Sequence, residues 1–88
     1  MNSIDSAMSK LFREILAQQK KKEKDYAQSW RLLGSKGTFA PLFFKANRLK
    51  ALLWDNQTPN FESARDNLID LITYGLYTLI LLDEEWGQ

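Results

Sequence analysis

Apolar residues recur along this chain at spacings of three and four, and no run alternates with the period of two that a strand requires. Ile4, Met8, Leu11, Phe12, Ile15 and Leu16 form one stripe, with Lys10, Arg13, Glu14 and Gln18 away from it. This predicts a helix over 3–19 with Ser3 as its N-cap. The polar run 18–24 carries no apolar anchor and reads as exposed helix or as a break. Tyr26, Trp30 and Leu33 restore the spacing, so 25–33 is again predicted helical. Gly34-Ser35-Lys36-Gly37 is the clearest interruption, with Gly34 suited to a helix C′ position. Thr38 can cap the next helix and Pro41 is tolerated in its first turn. Phe39, Leu42, Phe43, Ala46, Leu49, Leu53 and Trp54 then mark one face of a helix ending near 54, and 55–58 reads as a loop.

Thr58-Pro59 predicts the start of a last helix, with Thr58 as N-cap and Pro59 in the first helical position. Its main stripe is Phe61, Ala64, Leu68, Ile72, Gly75, Leu76, Leu79 and Leu82, and Ile69, Leu71, Ile80 and Leu81 carry apolarity round the cylinder. Over 59–85 this helix would run about 40 Å. A helix apolar on several sides is central or lies in an interface. The fold expected is all-α: a single domain over 1–88, a small bundle of three or four helices with a long C-terminal helix. Eighty-eight residues cannot wrap that helix, so homo-oligomerisation is expected to complete the bundle.

Composition removes whole classes of chemistry. The chain has no cysteine and no histidine. Disulfides, thiolate or imidazole metal sites and Ser-His catalysis are therefore excluded. Catalysis, if any, would use carboxylates, Lys, Tyr or a hard cation such as Mg²⁺. Net charge is only +1, yet it is unevenly spread. Residues 1–50 hold eleven Lys/Arg against four acids, and residues 51–88 hold one against seven. Either the front half binds an anion or the halves pair with each other, within or between chains. The most apolar stretch, 71–82, is too short to span a membrane. The first residues lack a basic region followed by an apolar core. A cytoplasmic protein with no membrane partner is expected. The near-zero net charge and the absence of a recognition-helix context argue against duplex nucleic acid.

Three constellations carry candidate chemistry. Lys20-Lys21-Lys22-Glu23-Lys24-Asp25-Tyr26-Ala27-Gln28-Ser29-Trp30-Arg31 mixes cations, which neutralise phosphate, with aromatics, which stack bases. The same spacing of Tyr26 and Trp30 suits ordinary core packing, and a lysine run suits a solvated face. Lys45 and Arg48, three apart, share a helix face and can grip an anion or pair with acids of the last helix. Glu62, Asp66 and Asp70 fall on one side of the last helix and repel unless a cation lies between them, either Mg²⁺ or basic side chains. Asp70 sits between Leu68-Ile69 and Leu71-Ile72, so it needs a partner, for which Lys45 or Arg48 would serve. Tyr74, four residues on, can join that cluster.

In this order the constellations resemble a known family. Lys24-Asp25-Tyr26-Ala27-Gln28-Ser29-Trp30-Arg31 is similar to its K-D-Y-G-x-[AS]-W-R motif. Phe44-Lys45-Ala46-Asn47-Arg48-Leu49 is similar to its F-x-K-A-x-R-[IL]. Glu62-Ser63 with Asp66, Asp70 and Tyr74 is similar to its E-S-x-x-D-x-x-x-D-L-x-x-Y ending. The family is the nucleotide-modification-associated domain family of bacteria and phages, and the resemblance covers about 22–82. One departure is visible: the family's Gly after Asp-Tyr is Ala27 here. Ala strains the backbone if that position takes a positive φ and helps if it is helical.

The resemblance implies a role in nucleotide metabolism or base modification. The leading expectation is a small nucleotide-binding protein that binds a nucleotide or nucleotide-derived small molecule, or sequesters a nucleotide signal. Its ligand residues would be Lys24, Asp25, Tyr26, Trp30, Arg31, Lys45 and Arg48. The alternatives are a Mg²⁺-dependent nucleotide pyrophosphohydrolase-like enzyme using Glu62, Asp66 and Asp70, and a structural protein-interaction module. Binding and hydrolysis are both open at this point, and so are the base, the linear or cyclic form of the nucleotide, and the number of subunits.

Overall fold

A computed structural model of the chain describes residues 3–58 and 63–86. These residues are helical throughout their ordered elements, with no strand among them. Helix α1 spans Ser3–Tyr26, a 3₁₀ segment spans Ser29–Leu33, α2 spans Gly34–Leu49, a π-helical turn spans Lys50–Trp54, and α3 spans Ala64–Glu85. The first and last helices are long, at 24 and 22 residues. No helix among the described residues is long and apolar enough to cross a membrane.

The polar run 18–24 is exposed helix, not a break. Its Lys and Gln residues are good helix formers and carry α1 on to Tyr26. There the chain turns sharply. Ala27 takes φ 52°, and its N–H donates to the Glu23 carbonyl at 2.8 Å. This is the left-handed C′ residue and single 5→1 bond of an αL cap. The expected break at 34–37 is smaller than the sequence suggests. Gly34 does take a positive φ of 71°, but α2 starts there rather than at Thr38. Thr38 is not a cap. It is fully buried inside α2, where its hydroxyl meets the Thr78 hydroxyl at 2.9 Å; Thr78 in turn donates to the Tyr74 carbonyl. Pro41 is accordingly a helix-interior residue.

The start of α3 also differs from expectation. Its N-cap is Ser63, not Thr58. Ser63 Oγ accepts from the Asp66 N–H at 3.1 Å, and the Asp66 carboxylate accepts from the Ser63 N–H, a reciprocal capping box. Pro59, Phe61 and Glu62 lie outside the described residues. The helix measures about 33 Å from Ala64 to Glu85.

Helices α2 and α3 pack along much of their length, while α1 meets α3 around Ile15. The buried row of α3 is Ile69, Thr73, Tyr77 and Leu81, joined by Leu49 and Leu52 from the other side of the chain. The main stripe expected from the sequence lies elsewhere: Leu68, Ile72, Leu76 and Leu79 remain exposed. The row at 69, 73, 77 and 81 is the one that faces the wedge between α1 and α2, and the geometry of that wedge selects it over the more apolar stripe.

Candidate functional site

The end of α1, the 3₁₀ segment and the middle of α3 enclose a cleft of about 380 Å³ lined by Lys22, Tyr26, Ser29, Trp30, Leu33, Tyr74 and Tyr77. Three local features shape it. The αL cap at Ala27 turns the chain so that Trp30 comes back over α3. The Trp30 and Tyr77 rings stack, with centroids 4.2 Å apart and planes within 6°. Tyr74 stands edge-on to Tyr77 at 5.4 Å. Three aromatic rings thus form one continuous wall, and Tyr26 is exposed at the opening.

Tyr77 donates its hydroxyl to Gln19 Oε1. Burial raises its pKa above the usual phenol value, more than the Gln19 bond lowers it, so the ring is a neutral phenol. The Trp30 indole N–H is buried and has no hydrogen-bond partner among the described residues.

The polar edge of the cleft is a three-membered charge cluster. Asp70 lies one turn before Tyr74 on α3. It pairs with Lys45 of α2 at 3.1 Å and with Lys22 of α1 at 3.9 Å. One carboxylate therefore holds two cations from two different helices. This answers the sequence expectation that Asp70 needs a partner and that Lys45 would serve. Arg48, one turn beyond Lys45, is half-buried, does not line the cleft, and makes no ion pair among the described residues.

A chain of hydrogen-bonded side chains runs beside Trp30. Gln28 donates to Glu23 at 2.8 Å, Arg31 Nε donates to Gln28 Oε1 at 2.6 Å, and Arg31 Nη1 donates to both Glu84 oxygens at 2.8 Å. The Arg31 guanidinium also lies 4.8 Å from the centre of the Trp30 ring, a cation–π contact. Beside it, Glu85 accepts from the Ser35 hydroxyl at 2.9 Å and from the Ser35 N–H at 3.3 Å. A carboxylate at the start of α2 is favourably placed against that helix's dipole.

Of the residues singled out from the sequence, Tyr26 and Trp30 line the cleft; Lys45 does not line it and is linked to Lys22 through Asp70, and Arg31 does not line it and lies against Trp30. Lys24 and Asp25 are exposed on the last turn of α1 and do not line it. Asp66 caps α3, Asp70 is held by lysines, and Glu62 lies outside the described residues. Among the described residues no three acidic side chains come together as a metal site.

Sequence reasoning missed Tyr77 and Glu84, and named Lys22 only as one cation of the basic run without placing it in the ligand set. Signals for all three were present. Tyr77 falls at i+7 from Asp70 and i+3 from Tyr74, the same face of one helix. Glu84 and Glu85 sit in the last turn of α3, where the helix dipole disfavours acids, so they require outside partners. Lys22 lies four residues before Tyr26 on the same face of α1.

The two charged halves of the chain do pair with each other, through Lys45–Asp70, Lys22–Asp70 and Arg31–Glu84. Even the exceptions match: Arg65, the sole cation after residue 50, binds Glu14 through two hydrogen bonds of 2.7 and 2.9 Å.

No curated protein and no solved structure matches the chain. A sequence profile does: that of nucleotide modification associated domain 1, over residues 22–82. The match takes in the αL turn, the aromatic wall, both lysines and Asp70. It begins at Lys22, the first residue of α1 to line the cleft, and leaves out the α1 stripe before it. The chain belongs to the nucleotide modification associated domain 1 family.

Proposed function

We propose that the protein binds a nucleotide or nucleotide-derived anion in the cleft between α1, the 3₁₀ segment and α3. The observation that carries this reading is the pair Lys22 and Lys45, held on one carboxylate beside an aromatic wall. Two ammonium groups from separate helices suit a phosphate, and Asp70 keeps them together while the cleft is empty of anion. The phosphate takes the lysines from Asp70, and the base stacks against Tyr26 or the exposed edge of Trp30 and Tyr74. The cleft volume falls within the range usual for small-molecule sites. Arg31, Lys24 and Asp25 form the rim, and Arg48 extends the cationic face of α2. A protein of this kind can act in the cytoplasm of a bacterium or of a phage-infected cell as a sink for a nucleotide signal.

The test is thermal unfolding against linear and cyclic nucleotides, with and without Mg²⁺, followed by mass analysis of the recovered ligand. A ligand at 100 times its dissociation constant adds about 2.7 kcal/mol. Lys22→Ala combined with Lys45→Ala should abolish the shift while the far-ultraviolet spectrum stays helical. A shift that survives both substitutions refutes the assignment of these lysines. A ligand cleaved only with Mg²⁺ would move the reading to the hydrolase, which would draw on Glu62, Asp66 and Asp70. No shift with any nucleotide would leave the interaction module.

A further inference from the structure

The strongest apolar stripe of α3 is uncovered, and α1 offers it no complete cover. Ile72, Leu76 and Ile80 on α3 face Met8, Phe12 and Leu16 on α1 across two adjoining hollows of about 300 and 280 Å³. Phe12 is 52% exposed and Leu16 55%. Only Ile15, at 6%, is buried among the α1 stripe residues. The radius of gyration is 14.6 Å, against about 12 Å for a compact chain of this length. Helix α1 therefore stands away from the body, and an apolar face lies along the join.

We infer that this α1/α3 face is an interface between two copies of the chain, related by a two-fold axis near Phe12. Two observations single out a second copy. The first is area. The six side chains, about half open at roughly 150–200 Å² each, expose on the order of 500 Å² of apolar surface; a standard interface buries about 800 Å² per partner, about 65% of it apolar in homodimers.

The second is charge along α1. Asp5 lies about 10 Å before Phe12 along the helix axis and Lys20 about 12 Å after it. An antiparallel crossing of two α1 helices at Phe12 sets Asp5 of each copy beside Lys20 of the partner subunit, twice by symmetry. A parallel crossing sets like charges together. The charges that flank the α1 stripe are thus self-complementary in an antiparallel crossing. The inference is independent of the nucleotide reading, because the cleft and this face share no exposed apolar residue.

Sedimentation equilibrium and native mass spectrometry of the full chain test it. The wild type should be a dimer at micromolar concentration. Phe12→Glu should give a helical monomer, whereas Phe43→Glu, on an exposed part of α2, should leave the dimer intact. Because Phe12→Glu can also disturb the seat of α1, a surface pair serves as the second arm. Asp5→Lys and Lys20→Asp should each weaken the dimer, and the two together should restore it. A wild-type monomer at that concentration overturns the inference. Dissociation by Phe43→Glu but not by Phe12→Glu overturns its placement, and failure of the double charge reversal to restore the dimer overturns the antiparallel crossing.

Discussion

Replacing Ala27 by Gly removes a methyl group and should make the protein more stable. Ala27 sits at φ 52° as the C′ residue of α1, and its side chain is exposed. An L-residue in the left-handed region costs roughly 1–2 kcal/mol relative to the right-handed one. Gly avoids that cost but loses about 0.4–1 kcal/mol through the greater freedom of its unfolded chain. No packing is given up at an exposed methyl. The balance is a gain of about 0.5–1 kcal/mol, a rise in Tm of roughly 2–8 °C for a domain of this size. The assay is thermal and urea unfolding followed by far-ultraviolet circular dichroism, at one protein concentration so that self-association does not intrude. The urea midpoint should rise with the m-value unchanged. Ala27→Val supplies the opposite arm and should destabilise, because a β-branched residue tolerates this region least. If Gly lowers the midpoint, or if Val equals Ala, the left-handed cap is not the conformation of this turn in solution. The same turn directs Trp30 over Tyr77, so a tighter cap should also sharpen the near-ultraviolet signal of that pair.

Three further outcomes follow from other parts of the fold. A Cβ at Gly37 would lie 2.6 Å from the Leu33 Cβ, so Gly37→Ala should destabilise by about 1–3 kcal/mol through forced backbone movement, read from the urea midpoint. The Glu14 carboxyl is held below its ordinary value of 4.5, first by its hydrogen bonds from Arg65. A lowered folded-state pKa gives stability that is present above that ordinary value and lost as the pH falls through the folded one. Glu14→Gln should therefore flatten the fall in Tm between roughly pH 5 and pH 3 relative to wild type. Asp70→Asn frees two lysines from an internal anion. Nucleotide binding, measured by titration calorimetry, should tighten, and its loss with added salt should steepen, because solution anions then compete where Asp70 did.

Much of the helical plan was legible because period and punctuation are local properties. Gly34 marks a positive φ, and 55–58 is indeed a loop. The readings that shifted each involve a choice between equally good local signals. Thr58 and Ser63 are both sound caps, and the reciprocal bond from Asp66 selects Ser63. Thr38 looked like a cap because its partner, Thr78, is 40 residues away in sequence. The conditional reading of Ala27 resolved toward strain, since only the folded turn fixes the sign of φ. The site was half legible for the same reason. Motif residues pointed to Tyr26, Trp30, Lys45 and Asp70, but Lys22 and Tyr77 gain meaning only when α1 is laid against α3. Which stripe of α3 is buried was not legible at all, because hydrophobicity ranks the stripes without saying where the wedge between α1 and α2 will fall.

The attachment of α1 carries one more consequence. Beyond Ile15, that helix is tied to α3 by Glu14–Arg65, Gln19–Tyr77 and Lys22–Asp70, ties that are largely polar and reach solvent. In a single copy of the chain such a segment opens at a free energy below that of global unfolding, and its amides should exchange first. Yet Lys22 and Tyr26, one side of the cleft, ride on it. Each opening of α1 therefore dismantles half of the cleft, and anything that spans the cleft opposes the opening. Amide hydrogen exchange at the solvent-facing turns of α1, well away from the cleft, would then report how often the cleft is filled.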